Sequence, residues 1–341
     1  MIDGSRSKVT LADRLKIDCE RESARICDIL RELLVERFKK RGFVLGLSGG
    51  IDSSVVGALC VRAVGKERVL GLLMPEKDSS EETHRLSNKI AEHLGIETVY
   101  QDITAILETV GCYRGRDDAI RKVIPEFTSD YKCKIVLPSI LESEGYRIFS
   151  VVVESPDGRQ QKKRLSTDAY LGILSASNFK QRVRKMLEYY HADRLNYAVA
   201  GTPNRLEYDQ GFFVKLGDGA ADTKPIAHLY KTQVYQMAEY LNVPAEIRQR
   251  PPTTDTCSMP QSQEEFFFSL PYDRMDLCLY GKNHGVPIKE VATATDLTVE
   301  QVERVYRDID AKREATRYLH SSPVLMENVA ELPHDGGPGE G

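Results

Sequence analysis

Two unbroken apolar runs, 43–47 and 69–74, predict strands buried on both faces, since a strand covered on each side needs no polar alternation. The stretches 96–103 and 195–200 are predicted as two more strands. Around them apolar residues recur at helical spacing. Within 11–40 they fall at Ile26, Ile29, Leu30, Leu33, Leu34 and Phe38, the stripe of a one-faced helix. After the first strand they fall at Val55, Val56, Ala58, Leu59 and Val61, and Ser79 with Glu82 is a capping-box signal for a helix that Gly95 ends. Strand and helix alternate. That predicts an α/β fold, a doubly wound, mostly parallel sheet with helices on both faces and a ligand beyond the strand C-termini.

Two stretches depart from the alternation. Segments 146–154 and 159–166 flank Ser155-Pro156-Asp157-Gly158, which predicts an antiparallel hairpin (146–166) inserted on the rim. Surface decoration is the expectation for it, a lid or a dimer arm the alternatives. Near the end, 288–294 and a helix capped by Thr298 with Gln301 have helix-turn-helix spacing, expected here as two packed helices. Residues 1–330 are expected to form one domain with a C-terminal helical segment at 264–320, and the glycine-rich stretch 331–341 a disordered tail.

Composition narrows the class. Forty-seven basic residues face 51 acidic ones for a net charge of −4, which argues against a chain built to coat nucleic acid. No apolar stretch reaches membrane-spanning length, and 1–16 is too polar for a signal peptide, so no membrane is expected. The seven cysteines form no C-x-x-C pair, which makes zinc and a disulfide framework unlikely readings and fits a reducing cytoplasm. Cys19, Cys27 and Cys60 fall on predicted helices as small core residues, and Cys112, Cys133 and Cys257 in loop-like contexts.

The chemistry concentrates in two places. Gly46-Leu47-Ser48-Gly49-Gly50-Ile51-Asp52-Ser53-Ser54 joins the first strand to a helix. Glycines at such a turn let the backbone approach a ligand, and the helix start turns free N–H groups toward an anion. Asp52 would repel a phosphate unless a metal ion bridges the two. No Gly-Lys-Ser/Thr follows, and the glycine spacing excludes a dinucleotide fingerprint. Farther on, Glu207, Lys215, Asp218, Asp222 and Lys231 gather in a glycine-rich region after Gly201-Thr202-Pro203-Asn204.

The first string resembles the pyrophosphate loop (Ser-Gly-Gly-x-Asp-Ser) of the N-type ATP pyrophosphatases. Four further motifs follow in order: Asn178-x-x-x-Arg182-x-Arg184, Gly201-Thr202-x-Asn204-x-x-Glu207, the run from Gly211 through Lys215 to Asp222, and Lys231-Thr232-Gln233-Val234. Together they resemble the NAD synthases, which amidate deamido-NAD using ATP and ammonia, over about 11–255 apart from the hairpin. The resemblance implies an adenine nucleotide α-hydrolase-like fold and a set of roles. Gly46, Leu47, Ser48, Gly49, Gly50, Ile51, Asp52, Ser53 and Ser54 would form the ATP loop. Thr202 would contact adenosine, and Lys231 and Thr253 the phosphates. Asp52 and Glu207 would ligate Mg2+, and Asp52 with Lys231 would be catalytic. Asn178, Arg182, Lys215 and Asp222 would hold deamido-NAD, with Lys312 closing over it from the C-terminal segment. A homodimer is implied too, its interface helped by the apolar stripe within 11–40. The chain carries no glutaminase portion, so free ammonia or a separate glutaminase would supply nitrogen.

Three departures from the family pattern keep an amide ligase for a different carboxylic acid open. The C-terminal His-Lys is Ala311-Lys312, followed by Arg313. The stretch after Thr253 reads Thr254-Asp255-Thr256 and then Gln261-Ser262-Gln263-Glu264-Glu265-Phe266. The hairpin is the third.

Overall fold

A computed structural model of the protein describes residues 10–138, 148–253 and 257–327. Its strands are β1 (Phe43–Gly46), β2 (Val69–Leu73), β3 (Glu97–Tyr100), β4 (Lys132–Val136), β5 (Ser150–Glu154), β6 (Gln160–Arg164) and β7 (Ala198–Val199). The helices of the first half are α1 (Cys19–Glu32), α2 (Ile51–Val64), α3 (Glu81–Leu94), α4 (Thr104–Thr109), α5 (Cys112–Arg121) and the long α6 (Thr167–Leu195). Those of the second half are α7 (Arg205–Gln210), α8 (Lys231–Tyr240), α9 (Ala245–Gln249), α10 (Tyr272–Asn283), α11 (Ile288–Thr295) and α12 (Val299–Thr316).

Strands β3, β2, β1 and β7 lie side by side in that order, all parallel, with Phe43 opposite Val69 on one side and Ala198 on the other. Alternate residues of β1 feed opposite layers. Phe43 and Leu45 pack with α1, α2, α3 and α8, whereas Val44 joins Leu70, Leu72 and Val183 beneath α5 and α6. The doubly wound arrangement follows directly, and the winding direction reverses between β1 and β7.

Several boundaries differ from the sequence expectation. The helix expected across 11–40 is broken: a 3₁₀ turn (Ala12–Leu15) precedes α1, which Asp18 caps by accepting from the Arg21 amide at 3.0 Å, and a π turn (Leu33–Arg37) closes it. Its stripe is spent inside the protein, because Ile26, Leu30 and Leu34 are buried against the sheet layer while Ile29 stays exposed. Ser80, not Ser79, caps α3, accepting from the Thr83 amide at 3.1 Å, and Ser79 accepts from Glu76 instead. The strand expected at 96–103 is confined to Glu97–Tyr100. The strand expected at 195–200 shrinks to β7, because Leu195 ends α6 and Asn196 turns left-handed at φ 57°.

The insertion is larger than a hairpin. β4, in which Lys132 and Lys134 alternate with buried Cys133 and Ile135, pairs antiparallel with β5, and β5 with β6. Cys133 thus lies in a strand and Cys112 in a helix, not in loops. Nor is the insertion decoration: Ile135, Val151 and Val153 pack on Ile120, Ile124, Ala169 and Ile173 of the α5 and α6 side. Residues 146–147, the start of the expected hairpin, lie outside the described residues, as does the expected tail at 331–341.

A buried ionic network ties this side to the sheet. Lys180 of α6 reaches Glu76 and Asp78 just beyond β2, each at 2.7 Å, and Arg116 of α5 reaches Asp78 at 2.7 Å and Asp117 at 2.9 Å. Its members are excluded from water, so each charge depends on its partners, and none was anticipated from the sequence. At the other end α10, α11 and α12 bury Cys278, Val291, Val302, Val305 and Ile309 in a cluster with Leu206 and Tyr230. The helix-turn-helix-like pair is two packed helices, with the expected Thr298–Gln301 capping box present.

Candidate active site

A cavity of about 820 Å³ opens beyond the C-terminal ends of β1 and β2. The loop leaving β1 forms one wall. Gly49 sits at φ 70°, and a Cβ there would stand 2.7 Å from the Ser87 amide nitrogen of α3, so only glycine lets the loop lie against α3. Gly50 is the N-cap of α2 and offers no side-chain cap, which leaves the first amides of that helix for an anion. Gly46, Leu47, Ser48, Gly50, Ile51, Asp52 and Ser53 line the cavity. Gly49 and Ser54 shape the loop from behind. The Ser54 hydroxyl donates to the Gly50 carbonyl at 2.8 Å and is fully buried.

The charged centre is built from three elements. Lys231, the first residue of α8, pairs with Asp52 of α2, and the second Asp52 oxygen accepts from Asn204 Nδ2 at 3.0 Å. Asn204 also caps α7, accepting from the Leu206 and Glu207 amides at 2.9 and 3.2 Å, while Glu207 accepts from the Asn204 amide at 3.1 Å. One asparagine therefore fixes both acidic residues. Burial, and then the Asp52 charge beside it, push the Glu207 carboxyl up to about 8. Burial works against the Lys231 charge, but Asp52 and Glu207 overcome it and hold the ammonium above the usual lysine value. Two carboxyl groups stand beside one cation here, and a second cation would favour the ionised form of both. Gln263, from the segment that departs from the family pattern, donates to Glu207 at 3.0 Å.

Lys231 is placed by a residue that the sequence did not flag. Asp276 of α10, fully buried, accepts from the Lys231 and Thr232 amides at 3.2 and 2.6 Å and so caps α8 from another helix. Burial pushes its carboxyl from 3.8 up to about 7, so the folded protein holds this proton more tightly than the unfolded chain. Stability is thereby lost as pH rises from about 4 to about 7 and is flat above. Asp276→Asn should remove that slope and, by replacing one acceptor oxygen with a donor, cost about 2 kcal/mol near pH 7. Urea unfolding of both proteins from pH 5 to 8 measures this, and parallel curves would refute the assignment.

Of the residues expected to hold the second substrate, Asn178, Arg182 and Lys215 line the cavity, as do Thr202 and Thr253, which are expected to meet ATP. Arg182 donates to the Lys215 carbonyl at 3.3 Å, and Lys215 donates to the carbonyls of Tyr318 and Ser321 at 2.6 and 3.0 Å. Asp222 and Lys312 are not part of the wall. Asp222 accepts from the Val199 amide at 2.7 Å and fastens the end of β7. Lys312 donates to the Phe267 carbonyl at 2.7 Å and pairs with Asp308, so it faces into the C-terminal helices. The C-terminal segment reaches the cavity through Ala315, Thr316, Tyr318 and Leu319 instead, and Arg313 clamps α12 to Asp209 of α7 at 2.6 and 2.9 Å. Phe149, beside the inserted sheet, stacks on Tyr170 at 4.4 Å, and both line the cavity with Phe266. Thr254, Asp255 and Thr256 lie outside the described residues.

The family model described as NAD synthase matches residues 22–123 and 147–317. The chain belongs to the NAD synthase family. It is 59% identical to the NH(3)-dependent NAD(+) synthetase of Mesorhizobium japonicum over 317 residues, covering 93% of this chain and 99% of that one. It is 33% identical to the enzyme of the same name from Thermotoga maritima, covering 86% and 96%. Among solved structures, an NMN synthetase from Francisella tularensis superimposes with a TM-score of 0.63 at 21% identity, covering 91% of this chain and 99% of that one. An NH3-dependent NAD synthetase from Campylobacter jejuni does so with a TM-score of 0.58 at 24% identity, covering 91% and 100%. These two likenesses speak for the fold. NAD synthase relatives of high identity span nearly the whole chain.

Proposed function

We infer that the protein is an ATP-dependent, amide-forming ligase: it adenylates the carboxylate of deamido-NAD and amidates it with ammonia to give NAD, AMP and pyrophosphate. The single observation that carries this is the 59% identity, over 99% of its length, to a relative named for that reaction. The same observation disfavours the ligase for another acid.

The reaction brings two anions together, the substrate carboxylate and the α-phosphate of ATP. We propose that the α2 amides and the Ser48 and Ser53 hydroxyls hold the phosphates, with Lys231 neutralising charge beside them. Arg182 and Asn178, across the cavity, would orient deamido-NAD, and Phe149, Tyr170 and Phe266 would give its rings an apolar wall. No protein nucleophile is needed, because the substrate carboxylate attacks and ammonia then displaces AMP. Among the described residues no group of three His, Cys, Asp or Glu gathers as a metal cluster. Mg2+ bound through phosphate and water oxygens needs only one or two carboxylates, and Asp52 with Glu207 fit that demand. When bound there it would neutralise phosphate charge.

Ammonium with ATP and deamido-NAD should give NAD and pyrophosphate in equal amounts, and glutamine alone should not. The rate should climb with pH toward the ammonium pKa, because only neutral ammonia carries the attacking lone pair. Coupled NAD and pyrophosphate assays measure this; ATP turnover without NAD would overturn the acceptor.

A homodimer belongs to the same reading, but not through the α1 stripe. Met186 and Tyr190, exposed one turn apart on α6, are the apolar pair proposed to cover it. Sedimentation giving only monomer at micromolar concentration would refute it. Among the described residues no helix is long and apolar enough to cross a membrane. Cytoplasmic location is proposed with the rest, and cell fractionation checks it.

A further inference from the structure

Arg250, just beyond α9, makes fewer contacts than its burial demands. Its side chain is only 10% exposed. One terminal nitrogen donates to the Thr83 hydroxyl of α3 at 2.7 Å, yet among the described residues Nε has no hydrogen-bond partner. The nearby carboxylate of Glu82 stands 3.6 Å from Nε and is itself 58% exposed. A buried guanidinium with an orphaned N–H is costly unless something else completes it.

What completes it is set by its position. Arg250 borders the main cavity and also a second one of about 500 Å³, and Ser79 and Thr253 border both. The phosphate loop packs on α3 at Ser87, where Gly49 makes its close approach, and Thr83 lies one helical turn away on the same cavity wall. The guanidinium is therefore held about a turn of helix from the loop. Lys231, the cation at the loop itself, is already paired with Asp52.

We propose that Arg250 contacts the terminal phosphates of ATP and holds pyrophosphate as it leaves, at the junction of the two cavities. The inference rests on the ligase reading above and adds a residue to it. In the adenylation step a substrate carboxylate oxygen bonds to the α-phosphorus, and the bond from that phosphorus to the α–β bridging oxygen breaks. The electron pair departs with pyrophosphate, whose added negative charge is what a planar guanidinium fork fits. Arg250 exchanges no proton or electron. It is a binding group for the leaving anion.

Inorganic pyrophosphate is the probe, used as a product inhibitor of the full-length enzyme. Arg250→Met should weaken pyrophosphate inhibition and raise the KM for ATP by about tenfold each, the effect of one lost charge-assisted bond, with the KM for ammonium unchanged. Arg250→Lys, which keeps the charge without the fork, should fall between, and it carries the test should the methionine variant fail to fold. Thr83→Val removes the hydrogen bond that anchors the guanidinium, along with the one the Thr83 hydroxyl accepts from Ser80 at 3.0 Å, and should change inhibition by less than about threefold. Unchanged pyrophosphate inhibition in Arg250→Met would overturn the proposal. So would Thr83→Val reproducing its shifts together with a lowered Tm, since that marks a structural role. Absence of ATP–pyrophosphate exchange in the wild-type enzyme would instead overturn the ligase reading.

Discussion

Asp52→Asn is expected to lower kcat by roughly three orders of magnitude while the protein stays folded. Asparagine keeps the oxygen that accepts from Asn204, so the loop and the α7 cap keep their shape. It removes the charge that faces Lys231 and sets an amide donor against the ammonium instead. It also deletes one of the two carboxylates proposed to hold Mg2+. Pyrophosphate release at saturating magnesium, beside a circular dichroism spectrum, decides the matter. Activity within tenfold of wild type would remove Asp52 from the catalytic assignment.

Lys231→Met should be nearly as severe and should differ in kind. Among the described residues the ammonium is the cation beside both Asp52 and Glu207 on the cavity wall. Its loss leaves the Asp52 carboxylate without its ion-pair partner, which costs about 3 kcal/mol of stability, while Glu207 stays protonated near neutral pH. The chemical step should fall by roughly 100-fold or more, since charge neutralisation at the phosphates goes with it. Magnesium offers the discriminating comparison. Added at millimolar concentration it should restore part of the stability, by pairing with the two carboxylates, without restoring turnover. Urea unfolding with and without magnesium, together with ATP–pyrophosphate exchange, reads both effects. Full recovery of exchange would show that Lys231 serves only to balance charge in the free enzyme.

The two predictions draw unequally on the sequence. Asp52 was legible because its neighbours are: a buried run, two glycines and a helical pattern form a local signal that needs no knowledge of the rest of the chain. Lys231 and Glu207 were legible as members of ordered motifs, but the bonds from Lys231 and Asn204 to Asp52 were not, since each spans more than 150 residues of sequence. Asn204 was quoted within a motif without its double role, because capping of α7 is local whereas its bond to Asp52 is tertiary. Asp276 and Arg250 gave no signal at all. An aspartate in a mixed helix and an arginine before two prolines look like surface residues until the fold buries them.

Two expected site residues stand outside the cavity wall for a related reason. Asp222 and Lys312 match a pattern whose spacing is local, yet the strand end at Val199 claims the first and the Phe267 carbonyl and Asp308 claim the second. The inserted segment was read as surface because a hairpin turn is a local feature, whereas the third strand and the packing on α5 and α6 depend on partners far away in sequence.

The sequence by itself determined the alternation of strand and helix, the phosphate loop and the order of the motifs, all of which are written in contacts a few residues apart. Only the tertiary structure decided which charges share a buried site, which helix caps α8, and that the insertion lends an aromatic wall to the cavity. Burial and low dielectric make those distant pairs strong, and neither property belongs to any residue until the chain has folded around it.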